Sequence, residues 1–100
     1  MNEKKVFSYV NFAVRAGNVV YGIDNLKTTK HIVYCVLLCN TASPNMQKMV
    51  TNYCKQQNIP CYTVVDSTID SYLHTKNCKL IGITNKDLSQ QIIYLNSLEE

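Results

Sequence analysis

Few residues in this chain combine a reactive side chain with a spacing that would let several converge. Histidine is the usual acid or base near neutral pH, and there are two: His31 beside Lys30, and His74 near the end of a short helical pattern. Neither has a partner residue in view, so surface or capping roles are favoured over catalysis. Asp66 and Asp70 resemble paired carboxylates. Their positions are explained more simply by a turn and by a capping box opened at Ser67. The five cysteines (Cys35, Cys39, Cys54, Cys61 and Cys78) form no CxxC pair and are odd in number. They read as reduced core residues, with no metal site and no cofactor expected. Gly17 and Gly22 lack a following Lys-Ser or Lys-Thr pair, so neither phosphate-loop pattern is met.

What remains is the stretch RAGNVVYGIDNLKTTK, from Arg15 to Lys30. Its two glycine turns let a ligand approach the backbone, and a helix N-terminus after Gly22 would present free amides to an anion. Lys27 and Lys30 add attraction for phosphate. Tyr21 abuts Gly22 on this presumed edge, whereas Tyr34, Tyr53 and Tyr62 fall on faces that read as core or boundary. From Met1 to Pro60 there are seven bases against two acids, a balance of +5, while the last forty residues hold three bases and five acids. Such an asymmetry suits a polyanionic partner. A solvated strand-to-helix turn is the bland alternative, and the residues alone leave both open.

The elements that would position this stretch are legible from periodicity. One hundred residues, 46% of them hydrophobic and 17% charged, predict a single domain over 1–100. No apolar run reaches bilayer length and the N-terminus lacks a signal core, so a soluble, cytoplasmic protein with no membrane role is expected. Val6, Phe7, Val10, Ala13 and Val14 recur at helical spacing, and Gly17 fits the left-handed position past the end of that helix. Val19–Tyr21 reads as a small edge strand, and Asp24 as the cap of a short helix through Lys27 and Thr28.

The continuous run Ile32–Cys39 reads as a central strand covered on both faces. Ser43 and Pro44 start a helix whose inner face carries Met46, Met49, Val50, Tyr53 and Cys54, ending at Asn58–Pro60. Cys61–Val65 and Leu80–Thr84 read as further strands. Between them Ser67 opens a short helix burying Ile69 and Leu73, and a terminal helix runs from Asp87 through Leu88, Ile92, Ile93, Tyr94, Leu95 and Leu98. This alternation predicts a three-layer α/β/α sandwich with a mixed sheet of about four strands.

The residues Arg15-Ala-Gly-Asn-Val-Val-Tyr-Gly22, the strand VYCVLLCN, the stretch SPNMQKMVTNYCKQQNIPCYTVV and LIGIT with the last helix resemble the L-seven-Ae-like family of ribosomal and kink-turn RNA-binding proteins. The small bacterial YlxQ-like type is the nearest in pattern, and the resemblance covers nearly the whole chain. It implies a sandwich that grips a sharply bent RNA duplex with tandem sheared G·A pairs. Where the family has a lysine after the first glycine turn, this chain has Asn18. Where many members have Asn and Glu in the binding helix, it has Asp24 and Asn25. An Asn amide both donates and accepts toward a base edge, whereas ionised Asp24 only accepts and repels phosphate.

By the same resemblance, the lysine one turn into that helix is Lys27 or, with a shift of register, Lys30. Val65 becomes the apolar residue at the RNA edge, followed by Asp66, Ser67 and Thr68 in the second contact region. The expectation is a non-enzymatic, ribosome-associated RNA-binding protein whose partner is kink-turn or ribosomal RNA, with no small-molecule substrate. In it Gly22 admits the kink, Asn25 bonds a base edge, Lys27 and Lys30 hold phosphates, and Val65 packs on a splayed nucleotide. The rivals are a protein-interaction module of the same fold that has lost RNA recognition, and a small enzyme using His31.

Overall fold

The computed structural model describes residues 3–64 and 80–97. Within them lie helix α1 (Glu3–Arg15), strand β1 (Val19–Tyr21), helix α2 (Gly22–Thr28), strand β2 (Cys35–Cys39), helix α3 (Pro44–Gln57), strand β3 (Cys61–Val64), strand β4 (Leu80–Ile83) and a terminal helix, α4 (Lys86–Ser97). The strands form one sheet in the order β1-β4-β2-β3. β4 pairs antiparallel with both β1 and β2, and β2 pairs parallel with β3. The sheet is mixed, as the pattern of elements predicts.

All five residues of β2 are buried, which places it between two layers of helix. Alternate side chains of a strand point to opposite faces, and the core divides on that rule. Cys35, Leu37 and Cys39, with Ile81 and Ile83 of β4, meet Val6, Val10 and Ala13 of α1 and Ile92 and Leu95 of α4. On the other face Val36, Leu38 and Leu80 meet Leu26 of α2 and Val50 and Cys54 of α3. The side chain of Phe7, read into the first stripe, lies outside the described residues, as do the predicted helix after Ser67, Cys78, Leu98 and Val65 at the end of the third predicted strand.

The predicted end of α1 and both predicted ends of α3 form as hydrogen bonds. α1 ends with Gly17 at φ 74°, where Gly17 N–H donates to Val14 C=O at 3.1 Å and Asn18 N–H to Ala13 C=O at 2.8 Å. That pair of bonds satisfies carbonyls the helix would otherwise leave open. Ser43 Oγ accepts from Met46 N–H at 3.1 Å with Pro44 beginning α3. At the other end Asn58 adopts φ 57° and Ile59 N–H reaches back to Cys54 C=O at 2.8 Å. Asn85 caps α4, its Oδ1 accepting from Leu88 N–H at 2.9 Å.

Three sequence readings are corrected. β2 begins at Cys35, not Ile32, and Ile32 is 68% exposed. The sheet register explains this: Cys35 lies opposite Ile83, the last residue of β4, and Val36 opposite Cys61, the first of β3. Tyr34 N–H still reaches Ile83 C=O at 2.8 Å, but no strand pairs with residues 32–34, and their apolar character alone cannot make a ladder. Met49 is 42% exposed although read onto the inner face of α3. Val50 and Cys54 hold the centre of that face, and a step of about 100° carries Met49 away from it. Asp24 is not the cap of α2, because that helix starts two residues earlier with Tyr21 as N-cap.

Gly82 is the point at which α2 meets the sheet. A Cβ there would lie 2.9 Å from Val20 Cγ2, 3.1 Å from Val33 Cγ1 and 3.2 Å from Leu26 Cδ1. The missing side chain is the space into which α2 presses Leu26. Gly82→Ala is therefore expected to overpack this contact and cost about 1–3 kcal/mol, read as a lower urea midpoint with an unchanged m-value.

Candidate nucleic-acid interface

The orientation of the strands decides which of the predicted site residues meet. β1 and β2 are both antiparallel to β4, and β3 is parallel to β2. So β1, β2 and β3 all run the same way, and Tyr21, Cys39 and Val64 end at one end of the sheet. Gly22 leaves β1 there and the loop Asn40–Ser43 leaves β2 there. In open α/β sheets the carboxyl ends of strands are where ligands are usually held. β1 and β3 are the outer strands among the described residues. Their three intervening spacings separate them by about 14 Å.

Gly22 makes the turn possible. Its φ is 80°, a left-handed value that L side chains adopt at a cost, and nothing lies within 4 Å of the position a Cβ would take. The backbone is thus bare on that side. α2 then runs for seven residues, its first turn without a side-chain cap at Tyr21. Asn25 closes the turn from within, its Nδ2 donating to Tyr21 C=O at 2.8 Å. Thr28 Oγ1 donates to Asp24 C=O at 2.9 Å, and Thr29 N–H to Asn25 C=O at 2.9 Å. Tyr53 OH reaches Leu26 C=O at 3.5 Å and ties α2 to α3.

Leu26, 2% exposed, fixes the rotation of α2. With Leu26 pointing inward, Asp24 points outward, and Asn25 and Lys27 fall on opposite flanks about 200° apart. All three are exposed. Asp24 stands in the first turn and Lys27 in the last, each complementing the helix dipole. That arrangement favours the helix and leaves an exposed carboxylate in its first turn.

The predicted residues therefore separate into groups. Gly22, Asp24 and Asn25 share the carboxyl end of β1. Asn18 lies at the other end of that strand, where its C=O accepts from Thr84 N–H at 2.9 Å. Four residues of extended chain put it about 13 Å from Gly22. Lys30 is exposed beyond the end of α2, where the chain heads for the start of β2, so it too lies away from Gly22. Val65, Asp66 and Ser67 lie outside the described residues. His31 lines a shallow groove with Thr29, Tyr53 and Gln57, and no carboxylate, thiol or second imidazole is among the described residues lining it. The described residues contain no cluster of three His, Cys, Asp or Glu able to hold a metal ion.

Sequence reasoning missed the close packing at Gly82, the bond from Tyr53 to α2 and the internal bond of Asn25. Only Gly82 had a visible signal, a glycine inside an otherwise apolar strand, which marks close approach of another segment.

With this geometry in place, comparison with known proteins is informative. The model for the Ribosomal protein L7Ae/L30e/S12e/Gadd45 family matches residues 4–93. The chain belongs to this family. Its mixed sheet and flanking helices are the fold that membership implies, and the family supports a general RNA-binding or ribosomal role. None of the curated proteins matches significantly. Among solved structures, a protein of unknown function from Bacillus halodurans superposes with a TM-score of 0.78 at 20% identity, over 91% of this chain and 95% of that one. At that identity the likeness is one of fold. No helix among the described residues is long and apolar enough to cross a membrane.

Because no atom crowds Gly22, its substitution isolates backbone strain from packing. Gly22→Ala is expected to cost about 1–2 kcal/mol in urea unfolding, and Gly22→Asn less, since Asn tolerates the left-handed region better.

Proposed function

We propose that this chain is a non-enzymatic, cytoplasmic, ribosome-associated protein that recognises kink-turn-like structured RNA through the carboxyl end of its sheet. The observation that carries the reading is the β1–α2 turn: a bare backbone at Gly22, followed at once by an exposed amide at Asn25. A sharply bent duplex needs such a low-relief approach, and the family to which the chain belongs supports RNA as the ligand. Asn25 spends one amide hydrogen on Tyr21 C=O. Its Oδ1 and remaining hydrogen are then held at a defined angle toward a base edge.

Lys27 supplies phosphate attraction on one flank of α2, and Lys30 extends it beyond the helix end. Val65 packs against a splayed nucleotide, with Asp66 and Ser67 beside it in the second contact. Asp24 opposes binding, because its exposed carboxylate stands where phosphate charge would gather. That same carboxylate is the observation favouring the alternative, a protein-interaction module of this fold. There a basic peptide would replace the RNA.

In gel-shift titrations at physiological salt, a kink-turn RNA with tandem G·A pairs should bind more tightly than a plain duplex of equal length. Equal affinities would refute the specific reading. Lys27→Ala with Lys30→Ala should weaken binding about tenfold and lower the salt slope by about 2, with Lys27 contributing the larger share. Asp24→Asn should strengthen RNA binding, whereas a basic-peptide interface would be weakened by it.

A further inference from the structure

At the end of the sheet away from Gly22, two cysteines face each other. Cys54 is in the last turns of α3 and Cys61 opens β3. Between them the chain reverses through Asn58 at φ 57°, locked by the 2.8 Å bond from Ile59 N–H to Cys54 C=O. Val36 N–H also donates to Pro60 C=O at 2.9 Å, which fixes the approach to β3. The reversal brings both thiols to one face of the sheet, where Cys61 packs against the cluster that contains the buried Cys54. They line one open pocket with Thr51, Asn52, Lys55 and Ile59.

We propose that Cys54 and Cys61 are a dithiol modification site that reacts with low-molecular-weight disulfides, such as oxidised glutathione, and closes to an intramolecular disulfide. Both thiols line one pocket beside the turn at Asn58, so a disulfide between them closes across that turn. The pocket gives a small disulfide access to a half-buried Cys61, while Cys54 is 2% exposed.

The roles of the two thiols differ. The hydrogen bond from Cys54 pulls the Cys61 thiol below its ordinary range, and that bond together with burial pushes the Cys54 thiol up. Cys61 is therefore the attacking thiolate and Cys54 the resolving group. Cys61 Sγ attacks one sulfur of the small disulfide, forming a mixed disulfide and expelling one thiolate. Cys54 Sγ then attacks Cys61 Sγ, its proton passing to the second small thiolate as that group leaves. Two protein thiols are oxidised and one small disulfide is reduced to two thiols. Cys35 stays out of the exchange because it points to the other face of the sheet, among the side chains of α1 and α4, where it donates to Ser89 Oγ at 3.6 Å.

The site is independent of the RNA-binding reading and is tested without RNA. The reduced full chain is incubated with oxidised glutathione under native conditions, its remaining thiols are alkylated, and it is digested with trypsin without reduction. Lys55 lies between the two cysteines, so closure leaves the peptides Met49–Lys55 and Gln56–Lys76 linked, and the chain lighter by two hydrogens. Cys54→Ala should stop the reaction at a stable glutathione adduct on Cys61, and Cys61→Ala should slow reaction with the disulfide about tenfold. A wild-type chain that keeps glutathione on Cys61 without linkage, joins Cys61 to any other cysteine, or alkylates all five cysteines alike after treatment would overturn the proposal. The wild-type digest decides the matter even if a variant fails to fold.

Discussion

The five consecutive buried side chains of β2 are the constraint on which the molecule rests. A strand buried on both faces has no polar side to offer water. It must be flanked by paired strands and roofed by helices on each side, or its apolar surface and ladder groups are left unsatisfied. β4 and β3 supply the pairing, α1 with α4 one roof, and α2 with α3 the other. The parallel pairing of β2 with β3 in turn requires a crossover, and the capped helix α3 provides it.

From that constraint follows the placement of the turn at Gly22. α2 belongs to the roof through a single fully inserted residue, Leu26, and the sheet accommodates it by having no side chain at Gly82. A seven-residue helix has little stability of its own. It persists because Leu26 is seated, because Tyr53 reaches its carbonyl end and because Asn25 bonds back to Tyr21. The same contacts that hold α2 set its rotation, and the rotation turns Asp24 outward with Asn25 and Lys27 to either side. The electrostatic character of this edge is therefore a consequence of packing. Its basic residues are spread along the helix and beyond it, and its acid is central.

The elements were largely legible before the structure because their signals are local. Gly17, the Ser43-Pro44 start and the Asn58 stop act through bonds within a few residues, and a spacing of three or four residues identifies one helix face. Readings failed where a local pattern depended on a distant neighbour. Ile32 belongs to an apolar run, yet whether an apolar run is strand is decided by how far β4 and β3 extend. Met49 has the composition of a core residue, yet Val50 and Cys54 already occupy the face that α3 presents to the sheet.

By itself, then, the sequence determined the α/β class, the order of the described elements and the ends of α1 and α3, because each is written in periodicity or in a residue's backbone preference. Only the tertiary structure decided which of the polar residues between Arg15 and Lys30 lie together. Asn18 and Gly22 are four positions apart in sequence and lie at opposite ends of β1, because extended chain separates what a helix would have gathered. Cys54 and Cys61, seven positions apart across a helix end and a strand start, line one pocket, because a left-handed turn folds the chain back on itself. Spacing along a chain becomes distance in space only once the path between is known.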